Sequence, residues 1–283
     1  TTFNISARRT LYDLFISPIM SIVSSSMTGG TKSTAGYYFY DVNAKLTHTF
    51  SENDKLSASF YMGDDVLYGR MNSTQTKSYM KLRYNWGNLF AAVNYEHRFN
   101  GRLYNTTQLS FTRYKYKLGV ALVEDYTYEG EREYYETGMN YDSYIMDVMA
   151  QTNFEWRPNP RHEVHFGGGY TYHMFRPQVG NVKYLSNDEF DENIDTTFSI
   201  GNTHHTHEVN LYIEDTYTPC HWFKMNAGLH ATLYHADGRF YPSVEPRLGM
   251  RFLPHKDVAI KMSYAYMSQY VHMLSNSSLS LPT

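Results

Sequence analysis

Residues Tyr144 to Met174 read YIMDVMAQTNFEW, then RPNPR, then HEVHFGGGYTYHM. Taken every second residue, the first arm places Tyr144, Met146, Val148, Ala150, Thr152, Phe154 and Trp156 on one face, and Ile145, Asp147, Met149, Gln151, Asn153 and Glu155 on the other. The second arm repeats this, with His162, Val164, Phe166, Gly168, Tyr170, Tyr172 and Met174 set against Glu163, His165, Gly167, Gly169, Thr171 and His173. A period of two over arms this long predicts strands. The Pro-Asn-Pro between them predicts a tight turn, so the stretch reads as a long β-hairpin.

Its length then separates the classes of β protein. Soluble strands have about 5 or 6 residues, whereas a strand tilted through a bilayer needs roughly 9 to 11. Each arm is long enough to span. One face carries no acidic or basic side chain apart from His162 at the turn, and its aromatic residues gather toward the ends: Tyr144, Tyr170 and Tyr172 at one rim, Phe154 and Trp156 at the other. Amphipathic rings favour the boundary between water and lipid. The uncharged face is therefore expected to meet lipid and the polar face a lumen.

Composition fits this class without proving it. The chain has 283 residues with 28 Tyr, 16 Phe and a formal charge of -3, and its mean hydropathy is -0.54. No run of about 18 apolar residues marks a transmembrane helix, but alternation hides the membrane signal of a β-barrel. Cys220 is the one cysteine, so no internal disulfide can form. Thr1 is not followed by a charged segment and an apolar core of the leader type, and export is expected from the fold alone. The mild charge gives no footprint for nucleic acid.

Working outward, Phe3 to Phe15 reads as a strand and Ile16 to Gly36 as a segment rich in Ser, Thr and Gly. From Tyr38 the alternation resumes, turns at SENDK (Ser51 to Lys55), and runs on to a longer loop near Asp64 to Thr74. Across Gly87 and Asn88 the apolar parity flips, from Leu82, Tyr84 and Trp86 to Leu89, Ala91 and Val93. A bulge inside one strand would do this, and a bulge keeps short turns alternating with long loops along the chain. The long loops are then Tyr126 to Gly138, within YTYEGEREYYETG, and Phe175 to Thr203. Further strands follow at His205 to Tyr217, Trp222 to His235, Ser243 to Phe252 and Val258 to Tyr266. The count is about eleven, and bacterial barrels have even counts. The expected fold is all-β, residues 1–283 forming part of a larger transmembrane antiparallel β-barrel.

Several stretches also carry a family resemblance. SARRTLYDLF (Ser6 to Phe15), WGN (Trp86 to Asn88), FNGRLYNTTQLSFTRY (Phe99 to Tyr114), HFGGGYTYHMFRP (His165 to Pro177), YIED (Tyr212 to Asp215), EPRLGMRF (Glu245 to Phe252) and YAYMSQYVHMLSNSSLSLPT (Tyr264 to Thr283) resemble the barrel of TonB-dependent outer-membrane receptors. The similarity is greatest to the group with an N-terminal carboxypeptidase-regulatory-like domain. The resemblance implies a 22-stranded barrel filled by a plug domain, importing a ligand with energy from the TonB complex. It implies location in a Gram-negative outer membrane. The plug and the remaining strands are expected outside this chain; membrane lipid, lipopolysaccharide, the plug, the TonB complex and a surface lipoprotein are the expected partners. A passive porin is the alternative, and an outer-membrane barrel enzyme a third.

Ligand contacts are expected in the outer loops, at Tyr126, Tyr128, Tyr134 and Tyr135 and at the acidic residues Asp188, Glu189, Asp191 and Glu192. Tyrosines suit stacking on sugars or rings, and loop composition fits iron chelates, glycans, cobalamin-like cofactors and peptides alike. No cofactor, metal or catalytic residue is expected. If Trp156 faces His162, Asp147 faces Thr171 and lies diagonal to His173, the raw material of a hydrolase, but polar side chains are ordinary on a lumen face. His204, His205, His207 and Glu208 offer metal-ligand chemistry, yet neighbours along a strand point to opposite faces. The acidic run around Asp188 could take Ca²⁺ but lacks the spacing of a dedicated loop. Gly167, Gly168 and Gly169 lie in a strand rather than before a helix, so close packing or a local bend is expected there instead of phosphate binding. Arg247, Arg251 and Glu245 are expected to form an internal ion-pair network.

Overall fold

In a computed structural model, the chain is described except for residues 29–30, 74–77, 129–130, 187–193, 271–274, 277–278 and 281–283. Strands β1 (Thr2–Arg9), β2 (Thr31–Thr49), β3 (Asp54–Ser73), β4 (Ser78–Arg98), β5 (Leu103–Tyr128), β6 (Glu131–Asn159) and β7 (His162–Ser186) come first, with helix α1 (Tyr12–Thr28) after β1. Then follow β8 (Ile194–Ile200), β9 (His204–Cys220), β10 (Phe223–Ala236), β11 (Arg239–His255) and β12 (Val258–Ala265), and a small hairpin of β13 (Ser275–Asn276) and β14 (Leu279–Ser280). One antiparallel sheet runs β1 to β7 and on through β9 to β12 in chain order, with β8 paired to β7 off this path. That path has the eleven strands expected. Its ends, β1 and β12, do not pair with each other.

Register places side chains in rows that run from β1 to β10. One row is Phe3, Leu46, Ala58, Val93, Leu109, Ala150, Tyr170, Val209 and Leu233. The next, on the opposite face, is Thr2, Thr47, Ser57, Asn94, Gln108, Gln151, Gly169, Asn210 and Thr232. The usual sense of burial is reversed here. Leu109 is 57% exposed and Leu211 63%, while Ser57, Ser110, Thr171, Thr232 and Glu245 are buried. Burying a leucine fully is worth about 1.5 to 3 kcal/mol, so a face that leaves Leu46, Leu109, Leu211 and Leu233 bare is shaped for a non-aqueous neighbour.

The strands outrun this apolar belt. β6 has 29 residues and β5 26, far more than the roughly 9 to 11 a bilayer needs. Where they are described, the segments expected as loops, Asp64 to Thr74, Tyr126 to Gly138 and much of Phe175 to Thr203, continue the sheet instead, as the outer parts of β3, β5, β6 and β7 together with β8. Their charge density concealed their alternation. The bulge expected at Gly87 is also absent: β3, β4 and β5 keep continuous register, Gly87 pairing with Asp64 and Lys115. What flips is the chemistry. Below this level Val42, Met62 and Leu89 share the belt side, and above it Tyr68, Arg83 and Asn140 do, while Tyr37, Leu67, Tyr84, Leu118 and Tyr141 continue the polar side. A parity argument that gives each face one environment fails for strands that pass through two.

Helix α1 corrects the strand expected over Phe3 to Phe15. Pairing of β1 ends where the Thr10 amide donates to the Phe39 carbonyl and the Thr10 hydroxyl accepts from the Phe39 amide. Beyond it Phe15, Ile19, Ile22 and Val23 recur at three and four, a helical spacing. Asp13 in the first turn accepts from Arg9 at 2.9 Å, and the Ser24 hydroxyl and Ser33 amide tie the last turn to β2 at 2.8 Å. The hairpin register also differs from expectation. Trp156 pairs with Val164 instead of His162, because the turn closes tightly with Asn159 opposite His162 and one extra residue is then taken up on β6 between Trp156 and Asn159.

Candidate functional site

That shift puts Asp147 directly opposite His173, and Thr171 opposite Met149. Asp147 Oδ1 lies 2.7 Å from His173 Nδ1, Thr112 donates to Asp147 Oδ2 at 3.4 Å, and Glu208 Oε2 is 3.9 Å from His173 Nε2. Thr206 is opposite His173 across the other ladder, but neither its hydroxyl nor Nε2 has a hydrogen-bond partner. The imidazole is thus flanked by two carboxylates, with no hydroxyl bonded to its free nitrogen. A nucleophile needs that bond to be activated.

Above this pair the polar side becomes aromatic. Tyr84 lies 4.5 Å from Trp86 and 4.9 Å from Tyr116, and Tyr116 meets Tyr141 edge-on at 5.6 Å, measured between ring centres. Such pairs contribute about 0.5 to 1.5 kcal/mol each beyond area burial. Tyr37 stacks on Trp86 and donates to Asp65. Burial first, and then the Tyr116 hydroxyl, push the Tyr84 phenol well above its ordinary range. A recess of about 570 Å³ joins the two levels, lined by Tyr84, Tyr116, Phe90, Thr112, Tyr114 and Asp147 among others. Polar groups below and ring faces above converge on it, which is the composition of a small-molecule contact surface.

On the other side of the same strands, above the belt, a pocket of about 770 Å³ is lined by Tyr38, Tyr40, Asp64, Lys81, Arg83, Lys115, Lys117, Glu136, Asp142 and Lys183 with neighbouring backbone. Lys115 pairs with Asp64 at 2.9 Å, Lys117 with Asp142 at 3.0 Å and Lys183 with Glu136 at 3.2 Å. Tyr40 donates to the same Asp64 oxygen at 2.6 Å. That bond, then burial, raises its phenol to about 12. A phenol raised in the folded state contributes stability that is complete below its unfolded value near 10 and is lost as pH rises through about 12. Tyr40→Phe should therefore flatten the fall in stability between these pH values, as read by denaturant titration at each pH.

At the short-turn end Glu155, Glu163 and His165 gather closely enough to hold a cation. Arg157 already sits among them, 2.5 Å from Glu155 and 3.1 Å from Glu163, and holds the Glu163 carboxyl below its ordinary range. The guanidinium supplies the charge that a metal would. Glu245 is buried and takes Arg247 at 3.4 Å with His230 at 3.6 Å, so the internal network expected there forms without Arg251.

No family model matches the chain, and no curated protein matches it. Among solved structures, the translocator domain of autotransporter NalP from Neisseria meningitidis is similar at 15% identity, over 85% of this chain and 77% of that one, with a TM-score of 0.35.

The residues expected to contact ligand are only partly brought together. Tyr126 and Tyr128 lie in β5, paired with Glu133 and Glu131, and Tyr134 and Tyr135 lie in β6 on opposite faces. Tyr134 donates to Glu136 at 3.1 Å. They belong to a paired sheet rather than to a loop. Asp188, Glu189, Asp191 and Glu192 lie outside the described residues. His205 and His207 are bonded to the Tyr172 and Tyr170 phenols at 2.6 and 2.7 Å, with His204 on the other face. Sequence reasoning missed the aromatic group of Tyr37, Tyr84, Trp86, Tyr116 and Tyr141. The signal was the parity break at Gly87, which also marks where the rings change sides.

Proposed function

We propose that this chain is part of the wall of an outer-membrane β-barrel receptor of a Gram-negative cell, which imports its ligand with energy from the TonB complex. The observation that carries the membrane reading is the uncharged row across the sheet with its large side chains bare, backed by a row of buried polar ones. Lipid on one side and a lumen on the other account for both. The two unpaired edges, β1 and β12, would leave backbone groups unsatisfied in lipid at several kcal/mol each. Further strands must cover them there.

The sequence resemblance supports the TonB-dependent part of the reading. A barrel of about 22 strands has a lumen wide enough to require a plug, and moving a large solute past a plug requires external work. The recess between Asp147 and the Tyr84 ring group is the proposed contact surface for the ligand. The test compares cells with and without functional TonB, growing each on single limiting solutes and measuring surface binding separately. Accumulation should be lost without TonB while binding persists. Accumulation that continues would instead establish a passive porin, and product formation abolished by Asp147→Ala would establish an enzyme.

A further inference from the structure

The pocket of about 770 Å³ lies on the same side of the sheet as the belt, opposite the side that carries the aromatic recess. Five of its side chains are cationic and three are carboxylates, and each carboxylate is matched by one lysine. Lys81 and Arg83 carry no ion pair among the described residues and are exposed. Arg70, opposite Lys81 in the ladder, extends the positive charge. Below them, Arg113 is exposed between Leu89 and Met146 at the upper border of the belt. The surplus charge therefore lies on the same side of the sheet as the apolar surface, with Arg83 six and Lys81 eight residues from Leu89 along β4 and Arg113 level with Leu89. Tyr38 and Tyr40 flank it, and tyrosine is a side chain of the membrane boundary.

We infer that this pocket binds the phosphate groups of a phosphorylated lipid of the outer leaflet, its acyl chains lying against the belt below. The inference rests on the membrane reading above. Phosphate is favoured because the free donors are an arginine fork and an ammonium, which suit its oxygens, and because a lipid would satisfy the charged pocket and the apolar belt with one molecule. A free anion would satisfy only the first.

The test uses the complete barrel to which this chain belongs, in vesicles of neutral phospholipid doped with either a bis-phosphorylated lipid A or its dephosphorylated form, with lipid retention read by native mass spectrometry after extraction. The phosphorylated form should be retained at least about tenfold better, and Lys81→Gln combined with Arg83→Gln should remove that preference. Those two side chains hold no partner in place, so insertion should be unchanged. Normal insertion with equal retention of both lipids would overturn the inference and leave the membrane reading standing. Failure to insert at all would overturn both. Displacement of the lipid by millimolar inorganic phosphate would also overturn it, by showing an anion site indifferent to acyl chains.

Discussion

Leu109→Lys should destabilise the folded protein in a bilayer by about 2 to 4 kcal/mol, whereas Gln108→Lys, one residue away, should cost less than about 1 kcal/mol. The two positions are adjacent on β5 and lie on opposite faces. Leu109 is 57% exposed and stands between Val93 and Ala150 in the uncharged row, so a lysine there must place its ammonium in hydrocarbon or bend toward a boundary. Gln108 lies on the other side, where Gln151 donates to it at 2.8 Å, and an ammonium there finds polar neighbours and water. In an aqueous setting the prediction would reverse, since Leu109→Lys would then remove an exposed apolar side chain. Urea titration of both variants in the complete barrel, folded into phosphatidylcholine vesicles, measures the difference. Equal losses would remove the basis for assigning one face to lipid.

The belt was legible because it obeys the simplest rule of strands. Val148, Ala150 and Phe154 alternate with Asp147, Gln151 and Glu155, and the ladder confirms that each set shares a face with its neighbours across the sheet. The outer half was not legible for a physical reason. Where a strand leaves an apolar surround, the outward face gains charge, and the inward face can pack apolar rings. Lys115 and Lys117 on one side and Tyr114 and Tyr116 on the other therefore look like a broken pattern when they are an inverted one. Side-chain parity in the sequence could not distinguish this from a bulge. Backbone register could, because a bulge displaces pairing and an inversion does not. The candidate recess was hidden for the same reason: Tyr84 and Asp147 belong to opposite sides of that break, and only the register places them beside one cavity.

Gly167→Val should destabilise the sheet by about 1 to 3 kcal/mol through overpacking, with roughly 1 kcal/mol more from a broken hydrogen bond. Gly167 is on β7 between Asn153 of β6 and Tyr212 of β9. The Tyr212 hydroxyl reaches across it to donate to Asn153 Oδ1 at 2.8 Å, spanning three strands over a position that has no side chain. A Cβ there would press on the Thr152 carbonyl oxygen and come within 3.1 Å of the Asn153 Cα. These are backbone atoms held in a ladder, so they cannot rotate away as a side-chain tip would. Tyr212→Phe alone should cost about 1 kcal/mol. In the Gly167→Val background it should cost nothing, because the bond it removes is already lost, and the two changes should be strongly non-additive. A double-mutant cycle by urea titration in vesicles measures this coupling. If Gly167→Val matched the parent protein in stability, or if the two costs simply added, the missing side chain at 167 would not be what allows Tyr212 to bridge the strands.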